Sequence, residues 1–284
     1  MNMEKKKTKI ACLIPNNYEV MDREFVINIF SVVCSFYSWN QNIGNKYELN
    51  IFVAKEGFID MMRESLAITA LRWQADYLLW MDSDQLFPHD LIRQMVETFE
   101  REKGIEAVSG LYTFKNPPFL PHCYREYNKE TDKFSLLAGF PLDQTFAVQG
   151  CGFGIVMFKS SVFKKVTRPF FEFKPGCYGE DLYFCRKFIL ENKRPIRLLV
   201  NPKIVSQHMT KITVDIHSYI GQNKIKVEHD VLRPTPDQVK LISDFQEKLM
   251  NNFLKSPLAP EKEKKLDKKK KPRNTIDKHG IKNS

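Results

Sequence analysis

The chain has no long apolar run. Its longest, Phe153 to Phe158 counting Gly154, is about six residues, far below the roughly 20 needed to span a bilayer. Met1 to Lys9 is charged and no apolar stretch follows it, so neither a secretory leader nor a membrane helix is expected. Paired cysteines are lacking too. Cys12, Cys34, Cys123, Cys151, Cys177 and Cys185 include no Cys-x-x-Cys, and a zinc site would need tighter clustering of Cys and His than this. Without a leader, free thiols in a reducing, cytoplasmic setting are expected. No segment repeats.

A basic face is also missing, although the net charge is +10. Residues 255–284 hold eleven Lys or Arg against four acids, and residues 1–9 hold four Lys against Glu4. That leaves 29 bases and 29 acids in residues 10–254, a neutral body between two basic tails. A general nucleic-acid binder would spread its basic residues over a folded face. What is present is core material: 43% of the 284 residues are apolar and 27% charged, a globular balance.

The first half alternates strand and helix. Lys9 to Pro15 is a short apolar run closed by proline and reads as a buried first strand. Asp22 can cap a helix carrying Phe25, Ile29, Val32, Val33 and Phe36 at helical spacing. Glu48 to Ala54, Tyr77 to Met81 and Ile105 to Tyr112 read as strands, with helices over Asp60 to Trp73 and from Pro88 to about Lys103 between them. Such alternation predicts a doubly wound α/β layer.

The second half is less regular. Pro117, Pro118 and Pro121 break the chain, and residues 119–140 suggest a hairpin or excursion. Phe146 to Phe158 reads as one strand with Gly150, Gly152 and Gly154 bare on one face, open either to a ligand or to tight helix packing. Glu180 to Glu191 reads as a helix, followed by strands near Ile196 to Val200 and Ile204 to His208. Thr235-Pro236-Asp237-Gln238 is a capping box that opens an apolar stripe of Val239, Ile242, Phe245, Leu249 and Phe253. Beyond Ser256 almost no large apolar residue remains, and the tail is expected to be disordered.

The chemistry concentrates at three points. Asp82 and Asp84 directly follow an apolar strand, where ligands of parallel sheets bind. Two carboxylates so close repel unless a cation joins them, and oxygen ligation suits Mg2+ or Mn2+. One Asp capping the next helix and one solvated Asp would also explain the pair. Glu180 and Asp181 open a helix after Gly176 and Gly179; capping accounts for them, and so does a base that takes a proton from an attacking hydroxyl. His208 ends an apolar strand, as a structural imidazole or a ligand.

In this order, the Asp82-Ser83-Asp84 turn, the glycine-bearing strand, Gly179-Glu180-Asp181 and Val205-Ser206-Gln207-His208 resemble the GT-A nucleotide-sugar glycosyltransferases. The likeness is to family 2-like enzymes, including the short ones often carried by phages, and covers roughly residues 9–210. It implies a Rossmann-like GT-A fold: a mixed, mostly parallel sheet flanked by helices in one domain over residues 10–234. A C-terminal helix over 235–254 and basic tails over 1–9 and 255–284 complete the expected organisation. The resemblance further implies a nucleoside-diphosphate sugar donor, a UDP-sugar foremost, bound with Mn2+ or Mg2+. Pro15, Arg63, Asp82 and Gly152 would touch the donor; Asp82, Asp84 and His208 would serve the metal. Asp181 would be the catalytic base beside Glu180, with inversion at the anomeric carbon. Where the family usually has Arg-Asn, this chain has Arg63-Glu64.

The acceptor is left open among a glycan, a protein side chain and a modified DNA base. The Lys-rich tail would favour a polyanionic one through counterion release. Two other readings fit parts of the pattern. A haloacid dehalogenase-like phosphatase also carries DxD after a strand, though on its first strand and without the Gln85-Leu86 found here. A non-catalytic GT-A-like binding protein would keep the scaffold without needing all three motifs.

Overall fold

Along β1 (Thr8–Asn16) alternate side chains go to opposite faces of the sheet, as the two-residue period of a strand requires. Ile10, Cys12 and Ile14 enter one hydrophobic cluster and Ala11 and Leu13 another, so β1 is apolar on both sides. The computed structural model describes residues 6–16, 20–55, 57–173 and 179–209, with 216, 219, 220, 226–228, 231–241, 243 and 244.

Six further strands join β1: β2 (Tyr47–Lys55), β3 (Tyr77–Met81), β5 (Ala107–Leu111), β8 (Phe146–Val148), β10 (Ile155–Lys159) and β11 (Leu198–Val205). Their order is β2-β1-β3-β10-β5-β11-β8. β10 runs antiparallel to both β3 and β5, and β8 antiparallel to β11. The remaining five are parallel, giving the mixed, mostly parallel sheet of a GT-A, Rossmann-like fold.

Helices cover both faces. α1 (Arg23–Asn42) and α3 (Leu91–Arg101) pack Phe25, Val32, Phe36, Met95 and Phe99 on one side. α2 (Ile59–Arg72) and α4 (Glu180–Asn192) pack Leu66, Ala70, Phe184 and Phe188 on the other. The Asp22 carboxylate accepts from the Glu24 N–H at 2.8 Å and starts α1 where the sequence predicts.

Several boundaries differ from those predicted. The stretch 146–158 is three strands, β8, β9 (Gly150–Cys151) and β10; β9 leaves the main sheet to pair with β6 (Cys123–Asn128). β6 forms a hairpin with β7 (Lys133–Leu136), inside the expected excursion. α3 starts at Leu91, because Pro88 and Asp90 form a preceding turn whose Pro88 carbonyl accepts from Leu91. The two strands expected over 196–208 are instead β11, with a register shift at Asn201-Pro202-Lys203, and the short β12 (Gln207–His208). Proline cannot donate to the ladder, and the next N–H, that of Lys203, donates to Asn201 Oδ1 at 3.1 Å.

The capping box forms: Thr235 Oγ1 accepts from the Gln238 N–H and Gln238 Oε1 from the Thr235 N–H. Helix follows over 236–241, where Val239 is exposed. Ile242, Phe245, Leu249, Phe253 and the tail 255–284 lie outside the described residues, as do the N-terminal residues 1–5. Among the described residues, no helix is long and apolar enough to cross a membrane. Cys12, Cys34, Cys123, Cys151 and Cys185 are free thiols; Cys177 is outside the described residues.

Candidate active site

Parallel strands deliver their carboxyl ends to one edge of the sheet, and β1, β3, β5 and β11 end together here. A cavity of about 320 Å3 at that edge is lined by Pro15, Arg63, Asp82, Asp84, Glu180, Asp181 and His208, with Ile59, Ser83, Tyr112 and His122. Every predicted site residue except Gly152 is among them. Two larger clefts, of about 410 and 490 Å3, lie along α2 and at the opposite ends of β5 and β11; neither contains a histidine.

β3 stops at Met81, and the turn that follows is closed by the Gly154 carbonyl accepting from the Asp82 N–H and the Asp82 carbonyl accepting from the Gln85 N–H. The short β4 (Gln85–Leu86) then pairs antiparallel with β12, setting Gln85 opposite His208. Met209 N–H donates to the Asp84 carbonyl at 2.8 Å. Two distant turns are thereby clamped together.

Hydrogen bonding selects the imidazole tautomer. His208 Nδ1 donates to the Thr113 carbonyl, so Nε2 carries the lone pair. That Nε2 lies 3.2 Å from the Gln85 amide nitrogen and 3.9 Å from Asp84 Oδ1. Burial lowers the His208 pKa and favours the neutral form. Asp84 Oδ1 is buried and accepts no hydrogen bond, while Asp84 Oδ2 pairs with Lys115 Nζ at 2.5 Å. An orphaned carboxylate oxygen beside an imidazole lone pair fits a shared cation, because a buried polar atom without a partner is costly. Among the described residues no three His, Cys, Asp or Glu side chains form a complete cage. Asp84 and His208 would therefore supply part of a shell whose remainder comes from water and ligand oxygens, the habit of Mg2+.

Arg63, expected against the nucleotide, lines the cavity and is also engaged by the protein itself. Its side chain is 3% exposed, donates to Glu180 Oε1 at 2.7 Å and to Asp82 Oδ1 at 2.9 Å, and lies over the Trp80 and Phe153 rings. It ties α2 to the ends of β3 and α4. Glu64 turns away and accepts from Arg168 and from the Phe170 and Phe171 N–H groups, which accounts for a carboxylate next to Arg63.

Asp181 lies in the first turn of α4, half-buried, with Oδ1 accepting from the Leu182 N–H at 2.6 Å. Burial first, then the charge of Glu180, raises its pKa to about 7, against the lowering pull of Arg63. Burial likewise raises Asp82 more than Arg63 lowers it. Glu180 itself is held by Arg63.

The glycines present no open face. A Cβ on Gly150 would meet Leu182 and Phe134, on Gly152 it would run into the Tyr112 hydroxyl, and on Gly154 into Gln85 Nε2. The bare positions are filled by side chains of the protein. Tyr112 accepts from the Gly154 N–H at 3.1 Å and stacks on His122, which also packs against Phe114 and, edge-on, His208. Burial lowers the His122 pKa to about 3.

Gln85, Tyr112, Lys115 and His122 are thus site residues that sequence pattern does not single out. Gln85 and Tyr112 lie in or next to recognisable strands, but nothing in their spacing sets them apart. Lys115 and His122 flank the prolines that break the pattern.

Residues 64–166 match the family described as Glycosyl transferase family 2. The match takes in the Asp82–Asp84 turn and β10, and stops before Asp181 and His208. No curated protein matches the chain. Among solved structures, A197 from STIV is 20% identical over 72% of this chain and 86% of its own, with a TM-score of 0.49. A protein described as a putative glucose-1-phosphate thymidylyltransferase from Bacillus anthracis, in complex with a sucrose, is 12% identical over 79% of this chain and 98% of its own, with a TM-score of 0.37.

Proposed function

We propose that this chain, a glycosyltransferase whose residues 64–166 carry the family 2 segment, moves a sugar from a nucleoside-diphosphate donor to an acceptor hydroxyl with inversion, in a metal-dependent reaction. The observation that carries the reading is the meeting of the Asp82–Asp84 turn, His208 and Asp181 around one cavity. Four carboxylates line it, Asp82, Asp84, Glu180 and Asp181, and among the described residues Arg63 and Lys115 are the cations paired with them. A diphosphate needs further positive charge to enter. A divalent ion, Mn2+ or Mg2+, would supply it and stabilise the leaving diphosphate.

The chain's own residues divide the remaining work. Asp84 and His208 Nε2 would hold the ion. Arg63 keeps Asp82 and Glu180 in place as their buried counter-ion. Asp82, at the cavity wall, would meet the ribose or metal-bound water, and Pro15 at the end of β1 would border the nucleoside. Asp181, its pKa raised, is suited to accept the acceptor's proton near neutrality while that oxygen attacks the anomeric carbon from the face opposite the leaving group. The acceptor class, glycan, protein or modified DNA base, is a matter for assay; the +7 tail over 255–284 favours a polyanionic one.

The test is a screen of UDP-, GDP- and ADP-sugars for Mn2+-dependent hydrolysis, which needs no knowledge of the acceptor. Turnover of one donor, abolished by EDTA and restored by Mn2+, is expected. Phosphate release from a simple phosphoester, with every nucleotide-sugar left intact, would favour a phosphatase instead.

A further inference from the structure

Lys115 stands outside the family's motifs yet touches the centre of this site. Its Nζ lies 2.5 Å from Asp84 Oδ2, with the lysine side chain 35% exposed. The loop that carries it is anchored at its base: Thr113 bridges to Pro121, Phe114 N–H donates to the Leu120 carbonyl, and the Phe114 ring packs on His122 at 3.7 Å. Lys115 is therefore presented to the Asp82–Asp84 turn from a fixed base.

The partners of the other cation are already assigned. Arg63 donates to Asp82 and Glu180 and is almost fully enclosed. Among the described residues Lys115 pairs with one carboxylate, and that carboxylate is the one whose second oxygen is orphaned beside His208 Nε2. A divalent ion taking Asp84 would repel the ammonium and weaken its hold there. The freed ammonium, compact and on a flexible stem, would then lie at the mouth of a cavity receiving a polyanion.

We infer that Lys115 is a diphosphate-binding residue of the donor site, held on Asp84 in the metal-free protein and passed to the donor's phosphates when a divalent cation occupies Asp84. The inference rests on the donor-site reading above and adds a residue to it. Competition for Asp84 and attraction to phosphate act in opposite directions, so removing the ammonium has a two-signed signature that a merely structural loop residue would not produce.

The experiment measures Mn2+ binding to the whole protein by the loss of free-Mn2+ electron paramagnetic resonance signal, and binding of UDP, GDP and ADP at saturating Mn2+ by calorimetry. Lys115→Met should bind Mn2+ alone about three- to tenfold tighter and the diphosphate about tenfold weaker, the scale of one charge-assisted hydrogen bond. Lys115→Arg, which keeps the charge, should hold the diphosphate within about threefold of wild type. If wild type binds a diphosphate but Lys115→Met leaves both affinities unchanged, or shifts both in one direction, the assignment of Lys115 is overturned. A loss of diphosphate affinity in Lys115→Arg as large as that in Lys115→Met overturns it as well. If wild type binds none of the three diphosphates with Mn2+, the donor-site reading itself fails, and this inference with it.

Discussion

Asp84 Oδ1 and His208 Nε2 face each other at 3.9 Å; the oxygen accepts no hydrogen bond, and the nitrogen has the Gln85 amide at 3.2 Å. Their approach is set by backbone pairing, with β4 against β12 and Met209 bonded to the Asp84 carbonyl, rather than by attraction between the two groups. If these two groups hold the proposed ion, such preorganisation would make the site cost little to assemble.

Asp84→Ala and His208→Ala should each cut Mn2+-dependent donor hydrolysis by about 10²–10³, the usual effect of losing one group that stabilises a leaving charge. Both variants should remain folded, because each side chain borders the cavity rather than the hydrophobic core. Normal metal-dependent hydrolysis by Asp84→Ala would mean that the ion is held elsewhere. Circular dichroism and a donor assay together check this.

As the proposed base, Asp181 would give the reaction a pH signature. With its pKa raised to about 7, kcat/KM should rise with pH through a midpoint at or somewhat below that value, since a bound cation favours the carboxylate, and level off above it. Asp181→Asn should lower transfer by about 10²–10⁴ and remove the limb. Stability changes in the opposite direction. In the metal-free protein the folded state keeps the proton between the ordinary 3.8 and about 7, so stability falls as pH rises across that window. Asp181→Asn should flatten that slope in urea titrations.

Arg63→Met tests whether this arginine serves structure or substrate. It would leave Glu180 and Asp82 as uncompensated carboxylates near the core, a loss of about 3–5 kcal/mol for a broken buried pair. A large fall in the urea midpoint is expected even without nucleotide. Unchanged stability with weakened nucleotide binding would favour the nucleotide contact expected from sequence.

Gly152→Ala and Gly154→Ala should destabilise by about 1–3 kcal/mol through overpacking. Their added methyls run into the Tyr112 hydroxyl and the Gln85 amide, respectively. Gly154→Ala should also displace Gln85 from His208, visible as a changed imidazole chemical shift in NMR. A selective loss of nucleotide affinity at full stability would instead make these glycines an open donor-facing surface.

The parts legible in the sequence were those governed by local pattern. β1, β2, β3 and α4 lie within about one residue of their predicted ends, because short apolar runs and acidic first turns are read from neighbouring residues alone. Asp82, Asp84 and His208 stand out as polar groups at the ends of apolar strands and Asp181 as an acid in a first helical turn, and the fold brings them to one cavity. What stayed hidden depends on non-local pairing. The excursion of β9 to β6, the glycine faces filled by Tyr112 and Gln85, and the two carboxylates claimed by Arg63 all require partners far along the chain. Lys115 and His122 occupy a proline-broken stretch with no periodicity to interpret.

The placement of β10 bears on how the chain is made. β3 and β5 are both complete by Leu111, yet the strand that joins them is Ile155–Lys159. Until that segment leaves the ribosome, each presents an unpaired edge rich in buried-type side chains, a template for wrong partners. Maturation of the sheet therefore waits on a late-synthesised strand inserted between two early ones, the kind of non-local closure that slows folding. A nascent chain paused between these points would depend on chaperones in a way the finished enzyme does not.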